Sequence, residues 1–202
     1  MNSEDGKIIN PNEFLAYAKN YERAAKILLR EISEYTDIWK IQSDDPKMDD
    51  ISLKFDEYGL FPILYAVRHY LELQIKGLYL SEGGKFENIK TNHSLQSILD
   101  LLCTLIGSDR ISHITKTYVQ KLHRYDSSSE ALRYPYDNKG TKIELGSPEE
   151  NVSNAYDDRS RLVKILQENF SNVSRELENL EGNLNAEKEI KNEMIGEYDF
   201  PS

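Results

Sequence analysis

The stretch FPILYAVRHYLELQIKGLYL at residues 61–80 decides the fold. At 3.6 residues per turn its aliphatic side chains cover a broad helical face, and Arg68, Glu72 and Lys76 follow a narrow stripe. Neighbours in this charged series are four residues apart and opposite in sign, so each can pair with the next. The pattern predicts a central helix that is buried nearly all round, with one solvated charged edge and with Pro62 near its start.

Four further segments show helical periodicity around this central helix. Their predicted limits are residues 12–35, 94–106, 109–125 and 152–180. Asn10 or Asn12 is expected to cap the first of them and Asn92 or Ser94 the third helix of the chain, which Gly107 ends. The sequence therefore predicts an all-α protein, an up-down bundle of four to five helices.

Two stretches interrupt this periodicity, and a third follows it. Residues 37–58 are predicted to form a long connection, and residues 126–151, with Pro135, Gly140, Gly146 and Pro148, a long irregular loop. Residues 181–202 are charged and carry only isolated apolar side chains. We expect a single helical bundle domain at 1–180 and an acidic, flexible tail at 181–202.

Composition restricts the classes of function. The formal net charge is −10, from 25 Lys and Arg against 35 Asp and Glu, which argues against broad contact with a nucleic-acid backbone but leaves room for a local basic cleft. No run of eighteen apolar residues and no hydrophobic signal segment occurs, so we expect a cytoplasmic protein without membrane contact. The four histidines match no zinc motif and no phosphate-binding loop is present, so neither a metal nor a cofactor is predicted.

Chemically active side chains lie on the central helix and at five later positions in the chain. The candidates for ligand binding are Arg68, His69, Glu72, Lys76, Asp126, Arg133 and Tyr134, and the candidates for catalysis are His93, His123, Arg68 and Arg133. One interpretation is structural: Arg68 pairs with Glu72, His93 caps a helix, and Arg133 anchors its loop. The other is a cleft where Arg68, Lys76 and Arg133 receive phosphate, a histidine transfers a proton, and Tyr65 or Tyr134 stacks on a base.

Three segments carry a resemblance to a known family. They are AVRHYLELQIKGLYL at 66–80, HSLQSILDLL at 93–102 and DSSSEALRYP at 126–135. Together they make residues 60–170 similar to the HEPN superfamily of bacterial helical-bundle proteins. The resemblance implies a bundle of four or five helices, frequent dimerisation and, in many members, metal-independent RNA cleavage in toxin–antitoxin or phage-defence systems.

The chain departs from the family at its catalytic motif. Catalytic members carry an arginine followed, after four to six residues, by a histidine, whereas here two residues separate Arg110 from His113, and Arg68 adjoins His69. We therefore expect a HEPN-like protein that binds RNA, a nucleotide or a partner protein, without efficient catalysis. A metal-independent ribonuclease with a non-standard Arg/His pair is one alternative.

A purely structural dimeric interaction module is the other alternative. Residues 162–180 carry apolar side chains at a spacing close to a heptad. This seam is suited to packing either on the bundle itself or on a second copy of the chain. With the family's habit of dimerising, it leads us to expect a homodimer.

Overall fold

The computed structural model describes residues 9–42, 49–126 and 155–196, and in these residues it contains five α-helices and no strand. The helices are α1 Pro11–Gln42, α2 Asp49–Ser81, α3 Leu95–Ile106, α4 His113–Tyr125 and α5 Ala155–Gly196, with single 3-10 turns at Phe86–Asn88 and Ser108–Arg110. The all-α class is confirmed, with the helices packed in contact. The predicted loop at 126–151 lies, apart from Asp126, outside the described residues.

Polar caps fix the helix ends. The Asn10 side chain accepts a hydrogen bond from the Asn12 amide at 3.1 Å, and Ser94 accepts one from the Ser97 amide at 3.2 Å. Ser112 caps α4 in the same way. Gly107 ends α3 with φ +95°, a conformation that glycine adopts readily, as its position in the sequence predicted.

The first two helices are longer than the sequence predicted. The connection placed at residues 37–58 is helical at 37–42 and again at 49–58. As a result Pro62 lies inside α2 rather than near its start, at a position where its missing N–H removes one intrahelical hydrogen bond.

α1 and α2 run antiparallel along the largest helix–helix interface among the described residues. Leu15, near the start of α1, lies on Gly77, near the end of α2, while Tyr21 contacts Tyr65 and His69 further back along α2. A Cβ atom at Gly77 would lie 2.6 Å from Leu15 Cδ2. The absence of a side chain at this position therefore allows the two helices to approach closely.

α5 buries its heptad-like seam against the rest of the same chain. Its buried members are Phe170, Val173, Leu177 and Leu180, none more than 6% exposed, and Leu184, beyond the predicted seam, is buried next to them. The Phe170 ring packs edge-on against Tyr70 of α2, with ring centroids 5.4 Å apart. The sequence left two possible partners for this seam, the bundle itself or a second copy of the chain. In the structure the seam packs on the bundle.

α5 also runs parallel to α2 and extends beyond position 180. Gln74 donates to Glu181 at 3.0 Å, and the Lys188 ammonium donates to the Ser81 carbonyl at 2.9 Å. Where the sequence suggested a flexible tail, residues 181–196 form the last turns of this helix, while residues 197–202 lie outside the described part.

Candidate functional site

The charged residues of the central helix are buried, so the predicted solvated edge is wrong. Arg68, Glu72 and Lys76 are only 1%, 2% and 5% exposed. Arg68 Nη1 donates to Glu72 Oε2 at 2.8 Å, and Lys76 Nζ donates to Glu72 Oε1 at 2.9 Å. The helical spacing of four residues places both cations on one carboxylate, which allows the three groups to leave water together.

Arg68 joins three helices. Its Nη2 donates to the His93 carbonyl just before α3 at 2.5 Å, and its Nε donates to the Asp126 carbonyl just after α4 at 3.1 Å. The Asp126 carboxylate, itself buried, lies 3.3 Å from the same Nε. The rigid fork of a guanidinium suits this role, since one side chain satisfies acceptors from three segments.

Glu72 stays ionised in this buried position. Burial raises the pKa of Glu72, but the charge of Lys76 and hydrogen bonds from Lys76, Arg68 and His93 outweigh burial and lower the pKa below its ordinary value. Two cations therefore face two carboxylates, those of Glu72 and Asp126. Because the charges already balance and are shielded from water, the network is poorly suited to receive a phosphate.

His93 is the exposed end of the network. Its side chain is 45% exposed, and its Nδ1 lies 2.8 Å from Glu72 Oε1. The carboxylate fixes the orientation of the imidazole and leaves the second ring nitrogen for another partner. An imidazole held in this way can move a proton, and among the catalytic candidates that the structure describes, His93 is the one with an exposed side chain.

His69 belongs to a different cluster. Its ring lies 4.4 Å from the Tyr21 ring, edge to face, and is stacked 5.4 Å from Tyr65 with an interplanar angle of 14°. Tyr65 was predicted to stack on a base, but its half-buried ring is in contact with His69. This cluster packs α1 on α2 rather than joining the network around Glu72.

No contact among the described residues brings the remaining predicted residues to His93. His123 lies on α4 with a half-buried ring, and its buried Nδ1 has no hydrogen-bond partner among the described residues. Arg133 and Tyr134 lie outside the described residues, so their contribution to a site stays a prediction.

α4 carries a basic surface, which the acidic composition of the whole chain did not indicate. The helix contains three Lys or Arg and two His but no Asp or Glu. Lys121 and Arg124 are exposed, and neither forms an ion pair with another described residue. Since the whole chain has a net charge of −10, this helix is a local exception that the count of charges did not reveal.

A polar groove between the second 3-10 turn and α5 was also missed. It has a volume of about 300 Å³ and is lined by Arg110 and by one face of α5 between residues 172 and 183. Glu176 fixes this wall: its carboxylate accepts hydrogen bonds from the Ser112 amide at 2.6 Å and from the Thr115 hydroxyl at 2.7 Å. The sequence signal was a set of asparagines at spacings of seven and four residues, which helical periodicity places on one face.

Comparison of the chain with protein-family models, with curated proteins and with solved structures gave no match. Among the described residues, no group of three potential ligands lies close enough to hold a metal ion. The described helices also include none with the length and apolar character needed to span a membrane. What is established is an all-helical arrangement of five helices in the part of the chain that the structure describes, and the function is argued from the geometry above.

Proposed function

We propose that the protein is a HEPN-like helical-bundle protein of a bacterial defence or toxin–antitoxin type system, which binds RNA or a partner protein without cleaving RNA efficiently. The family part of this proposal is supported by the resemblance of residues 60–170 and by the all-helical fold. The defence role is what that resemblance implies.

The burial of Arg68 and Lys76 carries the claim that cleavage is inefficient. A metal-free ribonuclease needs a group that moves the 2′-hydroxyl proton and a fixed cation that stabilises charge at phosphorus. His93 can serve as the first, but Arg68 and Lys76 are bound to Glu72 and shielded from solvent. Each missing role costs roughly two to three powers of ten in rate, so a site with the histidine alone would be barely active.

The exposed cations of α4 supply the surface for RNA. Affinity for a nucleic-acid backbone comes from Lys and Arg side chains that replace condensed counterions. Lys121 and Arg124 have no competing ion pair among the described residues, and α4 contains no carboxylate to repel a phosphate. This face can therefore attract RNA even though the whole chain is acidic.

Fluorescence anisotropy of a labelled single-stranded RNA tests this surface. We expect binding that weakens with salt, and a salt slope smaller by roughly 1.4 in Lys121→Gln/Arg124→Gln, because each phosphate contact on a single strand contributes about 0.7. Lys164→Gln/Lys191→Gln is the matched control: it removes the same charge from exposed positions on α5. Equal losses in both double variants, or no binding by the wild type, would refute RNA binding through α4.

A metal-independent ribonuclease is the second candidate, and the exposed His93 imidazole favours it. Glu72 orients this ring as a general base requires. The required cation would have to come from elsewhere, for instance from Arg133. Under this alternative the protein cleaves the RNA that it binds, and the cleavage depends on His93.

A homodimer completes the proposal, on the strength of the family resemblance. The seam of α5 is occupied within one chain, so a second copy would have to bind another surface. The purely structural dimeric module, which was to use that seam, is weakened for the same reason. Light scattering at micromolar concentration should give the mass of two chains, and a monomer would remove the dimer from the proposal.

A further inference from the structure

His93 presents a hydrogen-bond acceptor in a fixed orientation. Its Nδ1 lies 2.8 Å from Oε1 of Glu72, whose carboxylate is buried and ionised. An ionised carboxylate only accepts hydrogen bonds, so Nδ1 must carry the proton that joins the two groups. In the neutral imidazole the lone pair is then on Nε2, and no hydrogen bond with a described residue engages that nitrogen. The ring therefore offers an acceptor to a donor group of a ligand.

Two exposed cations belong to the segments that meet at His93. Lys90 precedes His93 by three residues in the same loop, and Arg124 precedes Asp126 by two residues at the end of α4. The guanidinium of Arg68 bonds to the carbonyls of both His93 and Asp126, so the loop and the end of α4 are neighbours in space. Neither Lys90 nor Arg124 forms an ion pair with another described residue. The acceptor is thus accompanied by two available positive charges.

A nucleotide within RNA carries the complementary set of groups. Its 2′-hydroxyl is a hydrogen-bond donor, and a phosphate lies on each side of the sugar. Lys90 and Arg124 can attract the phosphates while Nε2 of His93 accepts the hydroxyl hydrogen. Deoxyribose keeps the phosphates but lacks this donor, and the 2′-hydroxyl is the group by which a protein distinguishes RNA from DNA.

We propose that His93 selects RNA over DNA, by accepting a hydrogen bond from a ribose 2′-hydroxyl whose neighbouring phosphates are attracted by Lys90 and Arg124. This inference rests on the proposed function, because it names the chemical group of RNA that is recognised beside the α4 surface. Lys90 and Arg124 are exposed and have no described partner that holds them in place. They therefore do not supply the fixed cation that cleavage requires, and the bound RNA stays intact.

Competition of unlabelled oligonucleotides against a labelled decauridylate tests this selection. Fluorescence anisotropy is measured at pH 8, which favours the neutral imidazole. We expect the 2′-hydroxyl form to bind about threefold to tenfold more tightly than the deoxy and 2′-fluoro forms, the usual net contribution of one hydrogen bond. The 2′-fluoro form is the matched control, since it keeps an RNA-like sugar pucker but has no donor hydrogen. Equal binding of the 2′-hydroxyl and 2′-fluoro forms overturns the proposal.

Two histidine variants assign the selection to one ring. His93→Ala should bind all three forms with equal affinity, whereas His113→Ala, which removes an exposed histidine at the start of α4, should keep the difference. Selection that survives His93→Ala overturns the proposal, and so does a His93-dependent preference for deoxycytidylate over deoxyuridylate, which would make a base amino group the donor. If RNA and DNA bind equally and Lys121→Gln/Arg124→Gln still weakens both, this inference fails and RNA binding through α4 stands.

The tautomer of His93 gives a readout that needs no variant. Long-range ¹H–¹⁵N correlation of the imidazole in the labelled protein at pH 8 should show a protonated Nδ1 and an unprotonated Nε2. Decauridylate should move the Nε2 signal, and its 2′-fluoro form should not. A proton on Nε2 in place of Nδ1 overturns the proposal, because the ring would then have no acceptor for the hydroxyl.

Discussion

Replacing Arg68 by alanine removes the guanidinium that joins α2 to the ends of α3 and α4. The change leaves the buried Asp126 carboxylate and the carbonyls of His93 and Asp126 without this donor, and Glu72 with one cation fewer. Loss of one partner from a buried, hydrogen-bonded ion pair lowers the free energy of unfolding by about 3–5 kcal/mol. For a chain of this size the midpoint of thermal unfolding should fall by about 10 °C, measured by far-UV circular dichroism.

Arg110→Ala is the control for this experiment. Arg110 also pairs with a glutamate, Glu187, at 2.9 Å, but the two side chains are 37% and 54% exposed. An exposed pair contributes at most about 1 kcal/mol, so this variant should unfold within a few degrees of the wild type. If Arg68→Ala unfolds as late as Arg110→Ala, the buried network does not hold the helices together and the reasoning is refuted.

Three further outcomes follow from single side chains. Because the pKa of Glu72 is lowered in the folded protein, its contribution to stability is complete above the ordinary value of 4.5 and is lost as pH falls below it; a pH series of urea unfolding should show a flatter acid limb for Glu72→Gln. Burial and the charge of Glu22 raise the pKa of Glu178, so Glu178→Gln should raise the melting temperature at pH 7 and have no effect in acid; a loss at pH 7 would contradict this. Phe170→Ala should lower the free energy of unfolding by about 3–5 kcal/mol in urea titration, and a loss below 1 kcal/mol would mean that its contact with Tyr70 is not part of a packed core.

Local signals in the sequence located several helix ends and the main apolar faces. Ser94 and Gly107 cap α3 through contacts with residues close to them in sequence. Their roles at the two ends of α3 could therefore be predicted without knowledge of the tertiary structure. The connection predicted at residues 37–58 was too long, because its acidic residues were interpreted as a solvated loop while residues 37–42 and 49–58 are helical.

The sequence identified the members of the charged network but not their environment. The spacing of Arg68, Glu72 and Lys76 showed that they share one helix face, yet not whether water or protein covers that face. The answer depends on His93 and Asp126, which are distant in sequence and reach Arg68 only after α3 and α4 have packed. Burial of charge is therefore a property of the tertiary structure, which periodicity does not encode.

The separation of binding from cleavage is tested most directly by incubating the purified protein with structured and single-stranded RNA in the presence of a chelator. Because Arg68 and Lys76 are buried and already paired, we expect RNA that is bound but stays intact on denaturing gels. His113→Ala serves as the control, since His113 is exposed at the start of α4, outside the network. Rapid cleavage that is abolished by His93→Ala or His123→Ala, and kept by His113→Ala, would contradict the account and make the protein a ribonuclease.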